Sequence, residues 1–141
     1  MLYESQIIES VCRYLESKGH VILQRLLTTE RGDDIISEKN GTFLYIEAKG
    51  ATSSDTRSKR YGKPFTTAQV RDHVSVALFK CAEVLTRERG KENIKVGIAL
   101  PDNENYRKCV SKIKKAIETL NIIVFWVSTN YKIIVETPKN Y

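Results

Sequence analysis

A chain of 141 residues with 41% hydrophobic content suffices for one domain with a real core and leaves no space for a separate recognition domain, so this one unit must read whatever it recognises. A formal charge of +6 and a pI near 9.2 favour an anionic partner. Two histidines and three cysteines without CxxC spacing (Cys12, Cys81 and Cys109) argue against a His/Cys zinc centre, and no run approaches the ~18 apolar residues of a membrane span.

From the N-terminus, Ser5 to Lys18 carries Ile8, Val11 and Leu15 at helical spacing and stops at Gly19. His20 to Thr28 reads as a first strand. Two further strands are expected at about 33–38 and 43–49, joined by Asn40-Gly41, the dipeptide that best supplies the two positive φ angles of a type I′ turn. After a polar stretch at 51–63, Thr66 or Thr67 caps a long helix from about Ala68 to Arg89, ended by Gly90. Its apolar row is Val70, Val74, Ala77, Leu78, Cys81 and Leu85, and on it, as for Cys12, a buried thiol is the default. Ile94 to Leu100 is a buried strand before Pro101. Asn105 to Leu120 is a helix whose basic run, Arg107, Lys108, Lys112, Lys114 and Lys115, reads as a solvated face. Ile122 to Val127 and Lys132 to Glu136 form a last strand pair around the Ser128–Asn130 turn, with Trp126 in the core. The expected architecture is α/β: a mixed β-sheet flanked by helices in a single domain over 1–141.

The hairpin is the most informative segment. With a two-residue turn at Asn40-Gly41, Lys39 pairs with Thr42, and the same register sets Asp34 opposite Glu47. Cross-strand Cβ atoms lie about 4.5–5.5 Å apart, where like charges repel, so this pair calls for a cation. Alternation sends Lys49 to the face of Glu47, and Leu44, Ile46 and Ala48 to the other face with Asp33 and Ile35, so Asp34 rather than Asp33 is the expected metal ligand. Hard cations such as Mg²⁺ take one or two carboxylates and complete their shell with water and phosphate oxygens. The Ala48 carbonyl is a further candidate ligand, and the Lys49 ammonium is placed to orient a nucleophile or stabilise developing negative charge. The plain alternative is a half-exposed hairpin with solvated charges.

The run Gly32-Asp33-Asp34-Ile-Ile with Glu47-Ala48-Lys49 resembles the PD-(D/E)xK nuclease superfamily of restriction enzymes, Holliday-junction resolvases and RecB-type nuclease domains. The order helix, three-stranded meander, helix, strand can be traced from about Glu4 to Leu100. The resemblance implies a restriction endonuclease-like fold in which Asp34 and Glu47 bind Mg²⁺ or Mn²⁺ and Lys49 assists the attacking water. Asp33 stands where many members have proline. Some branches carry a glutamine followed four residues later by an aromatic. Gln69 and His73 hold those places here and either overlook the metal or form an ordinary polar flank of the helix. Many members add an acid from the first helix. Glu4, in line with Ile8, Val11 and Leu15, is slightly preferred to Glu9, and either also suits a helix N-terminus as such.

Between Gly50 and Phe65, Arg57, Lys59, Arg60 and Lys63 face the single acid Asp55, a local charge of +3. Directly after the acids, this stretch reads as a phosphate-contacting loop with Tyr61 available for sugar or base contact. The leading expectation is a metal-dependent DNA endonuclease, a homodimer or a subunit of a larger restriction, repair or mobile-element system. A partner-dependent or non-cleaving nucleic-acid-binding module with the same fold is the second, and a scaffold for an acidic partner the third. The N-terminus lacks a basic start followed by an apolar signal core, so a reducing cytoplasm is the expected compartment.

Overall fold

The computed structural model describes residues 1–26, 32–88, 90–91 and 93–138. The chain runs through α1 (Glu4–Ser17), β1 (Val21–Arg25), β2 (Ile35–Lys39), β3 (Thr42–Ala48), α2 (Thr67–Arg87), β4 (Ile94–Pro101), α3 (Glu104–Lys112), α4 (Lys114–Thr119), β5 (Ile122–Val127) and β6 (Ile133–Glu136). All six strands form one open sheet in sequence order. β1, β2 and β3 make an antiparallel meander, β3, β4 and β5 run parallel, and β6 closes the far edge antiparallel to β5. The parallel joins need crossovers, which α2 and the α3–α4 pair supply.

Alternation along β3 explains the two-sided core. Leu44, Ile46 and Ala48 face α1, whose Ile7, Ile8, Val11, Cys12 and Leu15 cover that side together with Phe125 and Val127. On the other side Tyr45 packs with Ile98, Leu100 and Trp126 under Val70, Val74, Ala77, Cys81 and Val84 of α2. Thr66 is the N-cap of α2, its hydroxyl accepting from the Gln69 N–H at 3.2 Å. Asn40 and Gly41 have φ of 52° and 82°, as the type I′ turn requires.

Several expectations shift. The first strand ends at Arg25, and the Leu27–Thr28 end of the expected strand lies outside the described residues, as does Arg89 at the end of the expected long helix. The strand also carries a bulge between Ile22 and Gln24, so its pairing to β2 slips by one residue while the β2–β3 register stays intact. The single helix expected over 105–120 is two, because Ile113 leaves helical geometry (φ −118°, ψ 19°) and its N–H bonds to Val110 three residues back. Arg107 is no solvated cation: it binds Asp102 at 2.7 Å and Glu136 at 2.9 Å and stacks 4.1 Å from the ring of Trp126. That stack and the Trp126 indole N–H, donated to Glu136 at 2.6 Å, complete a core residue that is 1% exposed.

Candidate active site

The hairpin register carries through from Lys39↔Thr42 to Ile35↔Ile46. One step further, Asp34 stands across from Glu47 just before β2 begins, and its Oδ2 accepts the Ala48 N–H at 2.8 Å. The two carboxyls are close enough for each to act on the ionisation of the other. Lys49 turns to the same side, its Nζ 3.7 Å from Glu47 Oε1. These groups are largely shielded from solvent: Asp34 is 9% exposed, and the Glu47 and Lys49 side chains 10% and 16%.

A third acid enters from α1, and backbone packing is what brings it. Gly50 follows Lys49 where the chain leaves β3, and a Cβ there would sit 2.6 Å from the Glu4 nitrogen, so only glycine lets the start of α1 lie against this point. The Ala51 N–H donates to the Leu2 carbonyl at 2.8 Å and fixes the approach. Glu4 thereby comes within electrostatic reach of Asp34 and Lys49. Glu9, the alternative, is turned to Arg13 and Arg25 at 3.3 and 2.9 Å.

The electrostatics follow from burial. Desolvation, then the charge of Asp34, push Glu47 up to about 7, and the same two causes push Glu4 up to about 7. Burial also raises Asp34, against the pull of the Ala48 N–H and the charge of Lys49. Three acids held reluctant to ionise are three oxygen donors short of positive charge. Among the described residues, no three His, Cys, Asp or Glu side chains converge into a ready-made metal cage. The donor set is two facing carboxylates beside a main-chain carbonyl, with a third acid close by. That composition fits a hard divalent cation that draws the rest of its shell from water and phosphate.

The structure does not bring Gln69 to this cluster. Its carboxamide oxygen accepts the Thr66 N–H at 2.9 Å, so the side chain serves the helix cap. His73 lies nearer: burial and then the charge of Lys49 lower its pKa. Its Nδ1 is 3.0 Å from the Tyr106 hydroxyl, which donates to the Gly50 carbonyl at 2.8 Å. With that one proton committed, the Tyr106 oxygen accepts from His73 Nδ1–H, and α2, α3 and the end of β3 are tied in one buried chain of bonds. His73 also meets the ring of Phe65 edge-on at 4.4 Å. Asp33, which alternation sends to the α1 face, instead binds Arg87 of α2 at 2.9 Å, because it lies outside β2 and is not held to the strand's period.

Sequence reasoning missed Tyr106 and Lys80. The charge of Lys80, on α2, acts on both Asp34 and Glu47. The available signal was its place seven residues after His73 on one helix face.

The basic loop folds on itself. The Thr52 hydroxyl sits 3.0 and 2.6 Å from the carbonyl oxygens of Arg60 and Lys63, and Ser53 bridges to Tyr61. The Tyr3 phenol, just ahead of α1, is raised above its ordinary pKa by the neighbouring Tyr61, so the loop comes near the same helix start that delivers Glu4. Lys59 and Lys63 are exposed, Arg60 is half-buried, and Arg57 is paired with Asp55 at 3.1 Å.

No protein-family model matches the chain, and no curated protein sequence matches it. Among solved structures, an XisH family protein from Nostoc punctiforme PCC 73102 is similar with a TM-score of 0.56 at 16% identity, over 96% of this chain and 98% of that one. A fdxN element excision controlling factor protein from Anabaena variabilis is similar with a TM-score of 0.56 at 15% identity, over 94% of this chain and 98% of that one. At these identities the likeness is one of fold, an open mixed sheet flanked by helices of the restriction endonuclease-like kind. Among the described residues no helix is long and apolar enough to cross a membrane.

Proposed function

We propose that this chain is a metal-dependent DNA endonuclease of the PD-(D/E)xK type, hydrolysing phosphodiester bonds with Mg²⁺ or Mn²⁺. The observation that carries the reading is that Asp34, held by the Ala48 N–H, stands across the hairpin from Glu47, with the Lys49 ammonium 3.7 Å from the Glu47 carboxyl. Asp34, Glu47 and the Ala48 carbonyl would hold the ion, with Glu4 as the added acid. When bound, the ion supplies Lewis-acid polarisation of the phosphoryl oxygens. The protein's own groups do the rest. Lys49 orients the attacking water and offers positive charge where the oxygens of the pentacoordinate phosphorus gather negative charge. The Ala48 N–H fixes the Asp34 carboxylate, and the Tyr106–Gly50 bond fixes the strand end that carries Lys49. Lys59 and Lys63 of the basic loop, with Arg57, Arg60 and Tyr61, contact the nucleic-acid backbone.

One such centre cuts one strand, so double-strand cleavage would use a homodimer or a second subunit. The excision controlling factor among the fold neighbours is compatible with the mobile-element branch of this reading.

The test is incubation of the purified chain with supercoiled and linear DNA in Mg²⁺, Mn²⁺ or EDTA. Nicking that needs the metal and disappears in Asp34→Ala and Lys49→Ala is expected. DNA binding without cleavage in any metal would transfer the weight to the binding module.

A further inference from the structure

We propose that Lys80 is a substrate-binding residue of this centre, its ammonium taking a non-bridging oxygen of the phosphodiester held at the Asp34–Glu47 pair. The proposal rests on the nuclease reading for its substrate and on the packing of α2 for its geometry.

α2 is pinned over β3 and β4 at three heights. Near its start, His73 reaches the Gly50 carbonyl through Tyr106. At its middle, the Cys81 thiol lies 3.6 Å from the carbonyl of Gly97, the residue paired with Ile46. At its end, Arg87 binds Asp33 and lies 5.7 Å from the ring of Tyr45. His73, Lys80 and Arg87 follow at seven-residue intervals, close to two helical turns, and so share one face. That face tracks β3 from Gly50 back to Tyr45, and Lys80 is its middle residue, level with Glu47. The depressing effect of its charge on both Asp34 and Glu47 agrees with that position.

Charge balance gives the ammonium its task. With the three acids ionised, Lys49 and Lys80 leave one negative charge at the centre, which a divalent ion converts to one positive charge. A single phosphodiester anion neutralises it. Without Lys80 the loaded centre would be neutral and would attract the substrate less. The side chain is also available: its pair with Glu83 spans 3.9 Å between groups 42% and 49% exposed, a contact that yields readily to a better partner.

The experiment compares wild type, Lys80→Gln and Lys80→Arg in two assays that need no cleavage. Mn²⁺ affinity is read by calorimetry, and binding of a short labelled DNA duplex is read in Ca²⁺, which loads the centre, across a salt series. Lys80→Gln is expected to bind Mn²⁺ roughly fivefold more tightly, since a repelling cation has gone. It should lower the salt slope for DNA by about one, with Lys80→Arg matching wild type in both assays. Unchanged Mn²⁺ affinity overturns the proposal, whether or not the salt slope moves, because Lys80 would then lie outside the centre. A wild type that binds no Mn²⁺ overturns it as well. If both readouts move in a protein that never nicks DNA, the Lys80 assignment stands and the nuclease reading falls; if wild type nicks and neither moves, the reverse holds.

Discussion

Replacing Glu47 by glutamine should make the metal-free protein more stable at alkaline pH. The folded state holds the Glu47 carboxyl near 7, while an unfolded chain would hold it near 4.5. A raised acid binds its proton more tightly when folded, so the stability it contributes is full below about 4.5 and is lost as the pH rises to about 7. Above that window, keeping this buried group ionised costs about 3 kcal/mol, an upper figure because Asp34 and Glu4 titrate with it. Glutamine keeps the shape and the hydrogen-bonding capacity without the charge. In EDTA at pH 8, Glu47→Gln should therefore melt roughly 6–10 °C above wild type, whereas at pH 5 the two should nearly coincide. Saturating Mn²⁺ should raise wild type selectively and close the gap, since only the native carboxylate pair gains from the ion. Thermal melts followed by circular dichroism at both pH values read this out. A gain of equal size at pH 5 and pH 8, or a loss at pH 8, would refute the electrostatic account of the pair.

Gly50→Ala forces a Cβ to within 2.6 Å of the Glu4 backbone nitrogen. It should cost about 1–3 kcal/mol in urea unfolding and weaken Mn²⁺ binding by displacing the third acid. Tyr106→Phe leaves the Gly50 carbonyl and the His73 N–H without their partner, at a cost of about 1–3 kcal/mol by the same melts. Lys59→Ala and Lys63→Ala, both on the exposed side of the loop, should each lower the salt slope of DNA binding by about one without altering Mn²⁺ affinity.

The part of the site legible in the sequence is the part that one short turn determines. Asn40-Gly41 fixes a register, and register arithmetic alone brings Asp34 to Glu47 and Lys49 to the same side. Helices crossing the sheet follow no such arithmetic, so Tyr106 and Lys80 stayed hidden: each reaches the site through packing between elements far apart in the chain. Gly50 stood only as the residue after the expected strand over 43–49, and its role as the contact point for α1 depends on where that helix begins in space. Gln69 shows local patterning misapplied. Thr66-x-x-Gln69 is a capping-box signature, and the cap engages the side chain that the resemblance offered a place overlooking the metal. Asp33 and Arg107 departed from expectation for a related reason, since each found a partner from another element that alternation and charge runs do not encode.

The central claim is that the Asp34–Glu47 pair is a seat for a divalent cation, and Mn²⁺ titration by calorimetry near pH 6.5, in two buffers of different ionisation enthalpy, tests it most directly. With Glu47 and Glu4 both held near 7, binding should release protons at that pH and far fewer near pH 8.5. Affinity should collapse in both Asp34→Asn and Glu47→Gln. Binding that survives both substitutions, or releases no protons near pH 6.5, would contradict the account.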